Sequence, residues 1–447
     1  MTNRLEVNKV FKGKKEMVTF KIKYSSTDEF QILLKEYRRE QSSLARCAYK
    51  MCVQGLNEKE IRNRLKVLNH NLMDSWFVLS AMWDARALHK LSLARQEEDR
   101  PLQKVIFGGK NNLKQYLKKK ITKEEFKNKR LRPLYVIGEA HQYGNRKFKL
   151  DMENDQILFQ DRKGKIKHIL KIQPQLRDRL EQLQYIQDQA KQRKCSLTVY
   201  VDENYIYLSF EPKQKEQRPQ ILNRVLAIDM NPNSIGWSVV DVLDKDNVKP
   251  VEAGVIDLKD LNKQKTAKKH HETYEISKFL VNKAIHFQCS KFAVEDLSIK
   301  SKDHKKGKKH NKLINNDWIR NKLIDSLNKR CFIAQIKFVE VNPAYTSIIG
   351  GVLYPSYPDP ISPTFEIARR ANFKYQKDMF YPRIPSVNTL NELWKQTLEK
   401  SFDGWKELSE WLKNTEQRYR VPLKDFPLRV FRLKSSKSTV TCSYLDV

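Results

Sequence analysis

The stretch Val225–Val242, VLAIDMNPNSIGWSVVDV, decides the fold. Its apolar run closing on Asp229 reads as a buried strand, Asn231-Pro232-Asn233 as a turn, and SIGWSVVDV as a second strand. Downstream, PVEAGVIDL reads as a third strand and ETYEISKFLVNKAIHFQCS as an amphipathic helix. KFAVEDLSI is a fourth strand, closing on Glu295. After a lysine-rich loop, a helix is expected near Asp317 to Lys329, then the strand AQIKFVEVNP, then a last helix from about Pro363, PTFEIARRANF.

Three strands in succession, then helix, strand, helix, strand, helix, is the order of an RNase H-like α/β fold. Upstream, MVTFKIKY (Met17–Tyr24) alternates as a strand should, and Asp28 to about Ala94 carries apolar residues at helical spacing. The stretch SWFVLSAMWDARALHKLSLA is unusually apolar, as suits the centre of a small helical bundle. Strand signals return in RKFKLDMENDQILFQDRKGKIKHILKI, and CSLTVYVDENYIYLSFEP reads as a hairpin turning at Asp202-Glu203-Asn204. The expected organisation is α+β and multidomain. A split, β-barrel-like, β-rich module (residues 1–26 and 133–212) carries a helical nucleic-acid-recognition insertion (27–132). A linker (213–220), the RNase H-like α/β domain (221–390) and a helical C-terminal extension (391–447) follow.

Charge narrows the partners. Lys and Arg number 86 against 53 Asp and Glu, a formal net charge of +33. A compact chain so charged repels itself unless a polyanion neutralises it, and nucleic acid does so with release of counterions. No apolar run nears a membrane span, so a membrane partner is not expected. The start, MTNRLEVNKVFKGKKEM, lacks the apolar core of a signal peptide. The six cysteines (Cys47, Cys52, Cys195, Cys289, Cys331, Cys442) form no C-x-x-C pair, which supports neither a zinc ribbon nor a disulfide framework.

Phosphodiester hydrolysis with two Mg²⁺ ions needs hard oxygen ligands converging from separate parts of a chain. Asp229 and Glu295 each end an apolar strand, and neighbouring strands of one sheet would bring them together. Either acid alone also reads as the first polar residue of a loop. Two bare acids at one sheet end repel, which a bound cation relieves.

The local sequences sharpen this. AIDMNPNSIGWSVVD resembles the first motif of RuvC-like nucleases and AVEDLSIK the second. VNPAYTS, before a helix carrying EIARRA, resembles the third region of TnpB proteins and type V CRISPR effectors. Together these resemble the transposon-encoded TnpB (OrfB) family of RNA-guided nucleases. FGGK and RLRPLYVIGEAHQYGNRKF resemble it more weakly. The resemblance implies an RNA-guided DNA endonuclease with guide RNA and target double-stranded DNA as partners, in the cytoplasm of a prokaryotic cell, nucleoid-associated. It implies metal ligation and catalysis by Asp229, Glu295 and a third acid, with two Mg²⁺ ions (Mn²⁺ as substitute). Two departures stand out. TSIIGGVLYPSYPDP replaces the family's zinc ribbon, so no zinc is expected. The family's third acid falls on Pro360 here, with Asp359 one residue earlier; Ser362 and Pro363 read as the cap and first turn of the next helix. Asp359 is the expected ligand and Glu366 the fallback. Without a third acid, the competing reading is a nuclease-dead RNA-guided repressor; another is a guide-free RuvC-like transposase or resolvase.

The densest basic run, IKSKDHKKGKKHNK, places Lys300, Lys302, Lys305, Lys306, Lys308, Lys309 and Lys312 after Glu295, for contact with a nucleic-acid backbone. Lys118, Lys119, Lys120, Arg130 and Arg132 are second candidates, for guide-RNA phosphates, with an exposed charged helix as the other reading. Arg369 and Arg370 read either as phosphate contacts or as partners of acids.

Overall fold

Strand β1 (Val18–Ser25) alternates exposed and buried residues as its sequence does, and it leads into three long helices. The fold is described from a computed structural model that covers residues 17–69, 73–94, 105–161, 167–175, 177–214, 216, 218–297, 319–374, 381–394, 398, 401–415, 429–432 and 441–445. The chain divides into two units, Met1–Lys213 and Gln214–Val447.

In the first unit, β1 is followed by α1 (Asp28–Val53), α2 (Glu58–Leu68) and α3 (Ser75–Ala94). Thr27 caps α1 by accepting from the Phe30 amide, and Asn57 and Glu60 form a reciprocal capping box on α2. The apolar α3 buries Phe77, Ala81, Met82 and Ala85, while Trp83, Leu91 and Leu93 on the same helix are exposed. Short helices α4 (Lys110–Leu117) and α5 (Lys123–Lys129) complete the insertion. Strands β2 (Leu134–Val136), β3 (Phe148–Asp151), β4 (Gln156–Gln160) and β5 (Lys167–Ile172) follow, then α6 (Arg177–Lys191), β6 (Thr198–Val201) and β7 (Tyr205–Phe210). The sheet order is β2-β6-β7-β1-β5-β4-β3. Asn145 ties its two edges: the amide donates to Val136 O on β2 at 3.3 Å, and Oδ1 accepts from the Phe148 amide of β3 at 3.1 Å.

In the second unit, β8 (Ile221–Asn231), β9 (Ser234–Val242) and β10 (Val248–Asp257) form an antiparallel meander. Helices α7 (Lys259–Asn262) and α8 (Thr266–His286) lead to β11 (Cys289–Glu295), which pairs parallel with β8. Helix α9 (Arg320–Ile333) returns the chain to β12 (Lys337–Val341), parallel to β11, and α10 (Thr346–Leu353) and α11 (Ser362–Asn372) follow. Parallel neighbours require such crossovers, and these two carry helices. The sheet order is β12-β11-β8-β9-β10-β14-β13. Its two faces have separate cores. Leu226, Ile228, Trp237 and Val294 pack with Ile276, Leu280 and Leu327 of α8 and α9. Val225, Ala227, Val240 and Ala293 pack with Phe365, Ile367 and Ala368 of α11. Burial on both faces is why these strands read as continuous apolar runs.

Two expectations are revised. The tail from residue 391 is not helical throughout. After α12 (Val387–Trp394) and α13 (Trp405–Thr415) come β13 (Arg429–Arg432) and β14 (Thr441–Leu445), and β14 pairs antiparallel with β10. Ser362 does not cap α11; it is the first helical residue, and Ile361 occupies the cap position with no side-chain bond. No helix among the described residues is long and apolar enough to cross a membrane.

Candidate metal and nuclease site

Register brings Asp229 and Glu295 together. The last paired positions of β8 and β11 are Ile228 and Val294, and each acid is the next residue of its strand. Ile228 and Val294 face α8 and α9. Alternation therefore turns both acids to the opposite face, under α11, on strands about 4.8 Å apart. Each is only 7% exposed.

Neighbours hold both carboxylates. Asn231 Nδ2 donates to Asp229 Oδ2 at 2.9 Å. Thr346 Oγ1, at the start of α10, donates to Glu295 Oε1 at 2.5 Å. Burial pushes the Glu295 carboxyl above the usual range, opposed by the Thr346 bond and by the positive charges of Arg370 and Arg320. A raised carboxyl pKa has a definite sign in linkage: the folded state favours the protonated form, so stability is fully present below the ordinary Glu range and falls as pH rises through the folded value. Glu295→Gln keeps an oxygen to accept from Thr346 and removes the buried charge. We expect its melting temperature, measured in EDTA, to exceed wild type at pH 8 and to converge with it below about pH 4. An equal or lower value at pH 8 would show that the arginines outweigh desolvation.

The segment of the expected third ligand, Asp359, meets the sheet beside Gly236. Gly236 of β9 is paired with Asp229. A Cβ built on Gly236 would lie 2.1 Å from the Pro360 carbonyl oxygen, so only glycine admits this segment to the sheet. Asp359, the residue before, is half-buried. Thr364 Oγ1 fastens α11 to the sheet at 2.5 Å from Ser238 Oγ, and Ile361 N closes a turn on Pro358 O at 2.7 Å. The Asp359 backbone is thus set beside the strand that pairs with Asp229. Even so, no three His, Cys, Asp or Glu side chains among the described residues are grouped closely enough to hold a metal ion. Two hard carboxylates at one sheet end fit a shared divalent cation; the third is near in the chain fold but is not gathered into a cage.

Glu366 cannot be that third ligand as it stands. It is 1% exposed and bonds both Arg369 (Nε–Oε2 2.7 Å, Nη2–Oε1 2.8 Å) and Arg370 (Nε–Oε1 2.5 Å). Arg369 and Arg370 are 0% and 2% exposed. Of their two readings, the structure shows the acid partner: α11 spacing places both guanidinium groups on Glu366. Arg370 also donates to Asn342 O at 2.7 Å.

In the first unit, Lys118, Lys119 and Lys120 are exposed after α4. Arg130 is half-buried over the Phe126 ring, and Arg132 pairs with Asp84 at 2.9 Å, a bond that occupies it structurally. Lys300, Lys302, Lys305, Lys306, Lys308, Lys309 and Lys312 lie outside the described residues.

Sequence reasoning passed over Thr346, Gly236 and Arg320. Thr346 and Gly236 stand inside the quoted motifs, in A-Y-T-S and S-I-G-W-S, but their roles depend on contacts with Glu295 and Pro360, each more than 50 residues away.

Comparison with known proteins finds no matching family model and no matching curated protein. Among solved structures, the chain is similar to one in a cryo-EM structure of a Cas12f1–sgRNA–target DNA complex. The identity is 10% and the TM-score 0.44, with 81% of this chain and 80% of that chain covered.

Proposed function

We propose that this protein is an RNA-guided DNA endonuclease whose RuvC-like, RNase H-like domain hydrolyses phosphodiester bonds at Asp229, Glu295 and Asp359. The observation that carries the reading is the register of β8 and β11, which sets Asp229 and Glu295 side by side on one buried face. The meander β8-β9-β10, extended on the other side of β8 by two parallel crossover strands, supports the RNase H-like assignment. RNA guidance, with guide RNA and double-stranded DNA as partners, rests on the motif resemblance and on the net charge of +33.

Asp229, Glu295 and Asp359 are the residues that would hold two Mg²⁺ ions. When bound, such hard cations supply Lewis acidity and lower the pKa of a coordinated water; Mn²⁺ can replace them. Asp229, oriented by Asn231, presents its carboxylate to that centre. Thr346 holds Glu295 by a bond that favours the ionised form, the form needed for ligation. Gly236 admits the Pro358–Ile361 turn and so brings the Asp359 segment to the sheet. The covered face excludes bulk water from the acids, which strengthens every charge interaction there.

The test is cleavage of double-stranded DNA matched to the RNA that copurifies with the protein. Wild type is expected to cut in Mg²⁺ and to stop in EDTA. Asp359→Ala is expected to cut at least about 10²-fold more slowly. A wild type inert on every matched target would leave a nuclease-dead binder. Cleavage that ignores the RNA would leave a guide-free resolvase or transposase. Normal cutting by Asp359→Ala would remove the third ligand alone.

A further inference from the structure

Arg320 opens α9 beside Glu295, and among the described residues most of its donors meet no acceptor. Nη2 donates to the Glu295 backbone oxygen and Nη1 to the Asn321 side chain, both at 3.3 Å, the long end of the hydrogen-bond range. Nε is buried and, among the described residues, has no hydrogen-bond partner. Asp296, Glu340 and Glu295 attract the guanidinium through space. Among the described residues, none forms an ion pair with it. The contrast within the same unit is sharp. Arg224 grips both oxygens of Asp241 at 2.6 and 2.8 Å, and Arg369 and Arg370 close on Glu366.

A guanidinium offers five donors in a fixed planar fork. Holding one half-buried on two long bonds is costly, because buried donors without acceptors forfeit their hydration. The position also has a chemical logic. Arg320 stands at the carboxyl end of a parallel strand, where ligands of such sheets bind, and contacts the backbone of Glu295, a buried acid that repels any phosphate. A cation at that point offsets the repulsion, and its fork matches two phosphate oxygens.

We propose that Arg320 is a phosphate-contact residue, gripping a backbone phosphate of the nucleic-acid strand that enters the Asp229–Glu295 site. This rests on the nuclease reading for its place in a reaction, but its binding arm can be measured without cleavage.

The experiment compares wild type, Arg320→Ala and Arg320→Lys, all full length. A fluorescein-labelled single-stranded DNA oligonucleotide is titrated in EDTA across a salt series, and single-turnover cleavage is measured in Mg²⁺. Arg320→Ala is expected to reduce the slope of log affinity against log salt by about 0.7, one phosphate contact on a single strand. Its cleavage is expected to fall about 10²-fold. Arg320→Lys should keep the wild-type slope, since the charge remains, yet cut more slowly than wild type for want of the fork. An unchanged slope in a folded Arg320→Ala overturns the proposal, whatever happens to cleavage, and so does wild-type cutting by Arg320→Lys. Should the alanine variant not fold, the lysine variant decides: wild-type cleavage, or a lowered melting temperature with a wild-type affinity, makes Arg320 structural. A wild type that binds but never cuts, with the slope still reduced in Arg320→Ala, sinks the nuclease reading and leaves the contact standing. A wild type that does not bind the oligonucleotide sinks both.

Discussion

Asp229→Asn is expected to lose cleavage by about 10³-fold or more while keeping its fold and its affinity for nucleic acid. The substitution is nearly isosteric, and Asn231 Nδ2 still finds an amide oxygen where it now meets Asp229 Oδ2. What disappears is one negative charge at a sheet end shared with Glu295, and with it the hard anionic ligand that a divalent cation needs. Affinity survives because backbone binding depends on lysine and arginine spread over a chain of net charge +33. Thermal melting, salt-dependent binding and single-turnover cleavage on the same preparation separate these effects. A variant that melts and binds like wild type but no longer cuts is the expected combination. Substantial residual cutting would move the chemistry elsewhere.

The second large effect is on stability. Glu366→Gln is expected to lower the melting temperature of the C-terminal unit by roughly 6–20 °C, from a cost of about 3–5 kcal/mol. Glu366 is the shared carboxylate of Arg369 and Arg370, all three side chains lie inside the unit, and all three sit within one and a half turns of α11. Two guanidinium groups deprived of their anion cannot leave for water without unpacking α11 from the sheet. Arg370 also contributes positive charge to Glu295, and without the Glu366 anion that charge is less compensated, so the same substitution is expected to lower the Glu295 carboxyl and move the acid limb of the cleavage profile to lower pH. A melting shift below 2 °C would mean that the other bonds of these arginines carry them alone.

Much of the C-terminal core was legible because its strands are buried on both faces. VLAID and FAVE are short apolar runs ending in acids, and the structure places them in neighbouring parallel strands. Asn231-Pro232-Asn233 turns where its residue types say it should, with β8 ending at Asn231 and β9 starting at Ser234. What sequence could not supply is register. A shift in pairing between Cys289 and Lys291 precedes the stretch where β11 locks to β8. A one-residue slip there would turn Glu295 to the other face. Nor could it choose a partner for Arg369 and Arg370: i,i+3 and i,i+4 spacing from Glu366 permits a pair on any helix, and only burial shows that the pair is closed. The strands of the tail escaped because an edge pairing such as β14 on β10 is made over nearly 200 residues, and the neighbouring WKELSEWLKN pattern is helical.

The most direct test of the central claim, that Asp229 and Glu295 form one cation site, is a Mn²⁺ titration followed by electron paramagnetic resonance. It would be run on wild type, Asp229→Asn and Glu295→Gln. Wild type should sequester Mn²⁺ in competition with Mg²⁺, and either single substitution should weaken that binding by at least about 10-fold. Equal Mn²⁺ binding in all three proteins would contradict it.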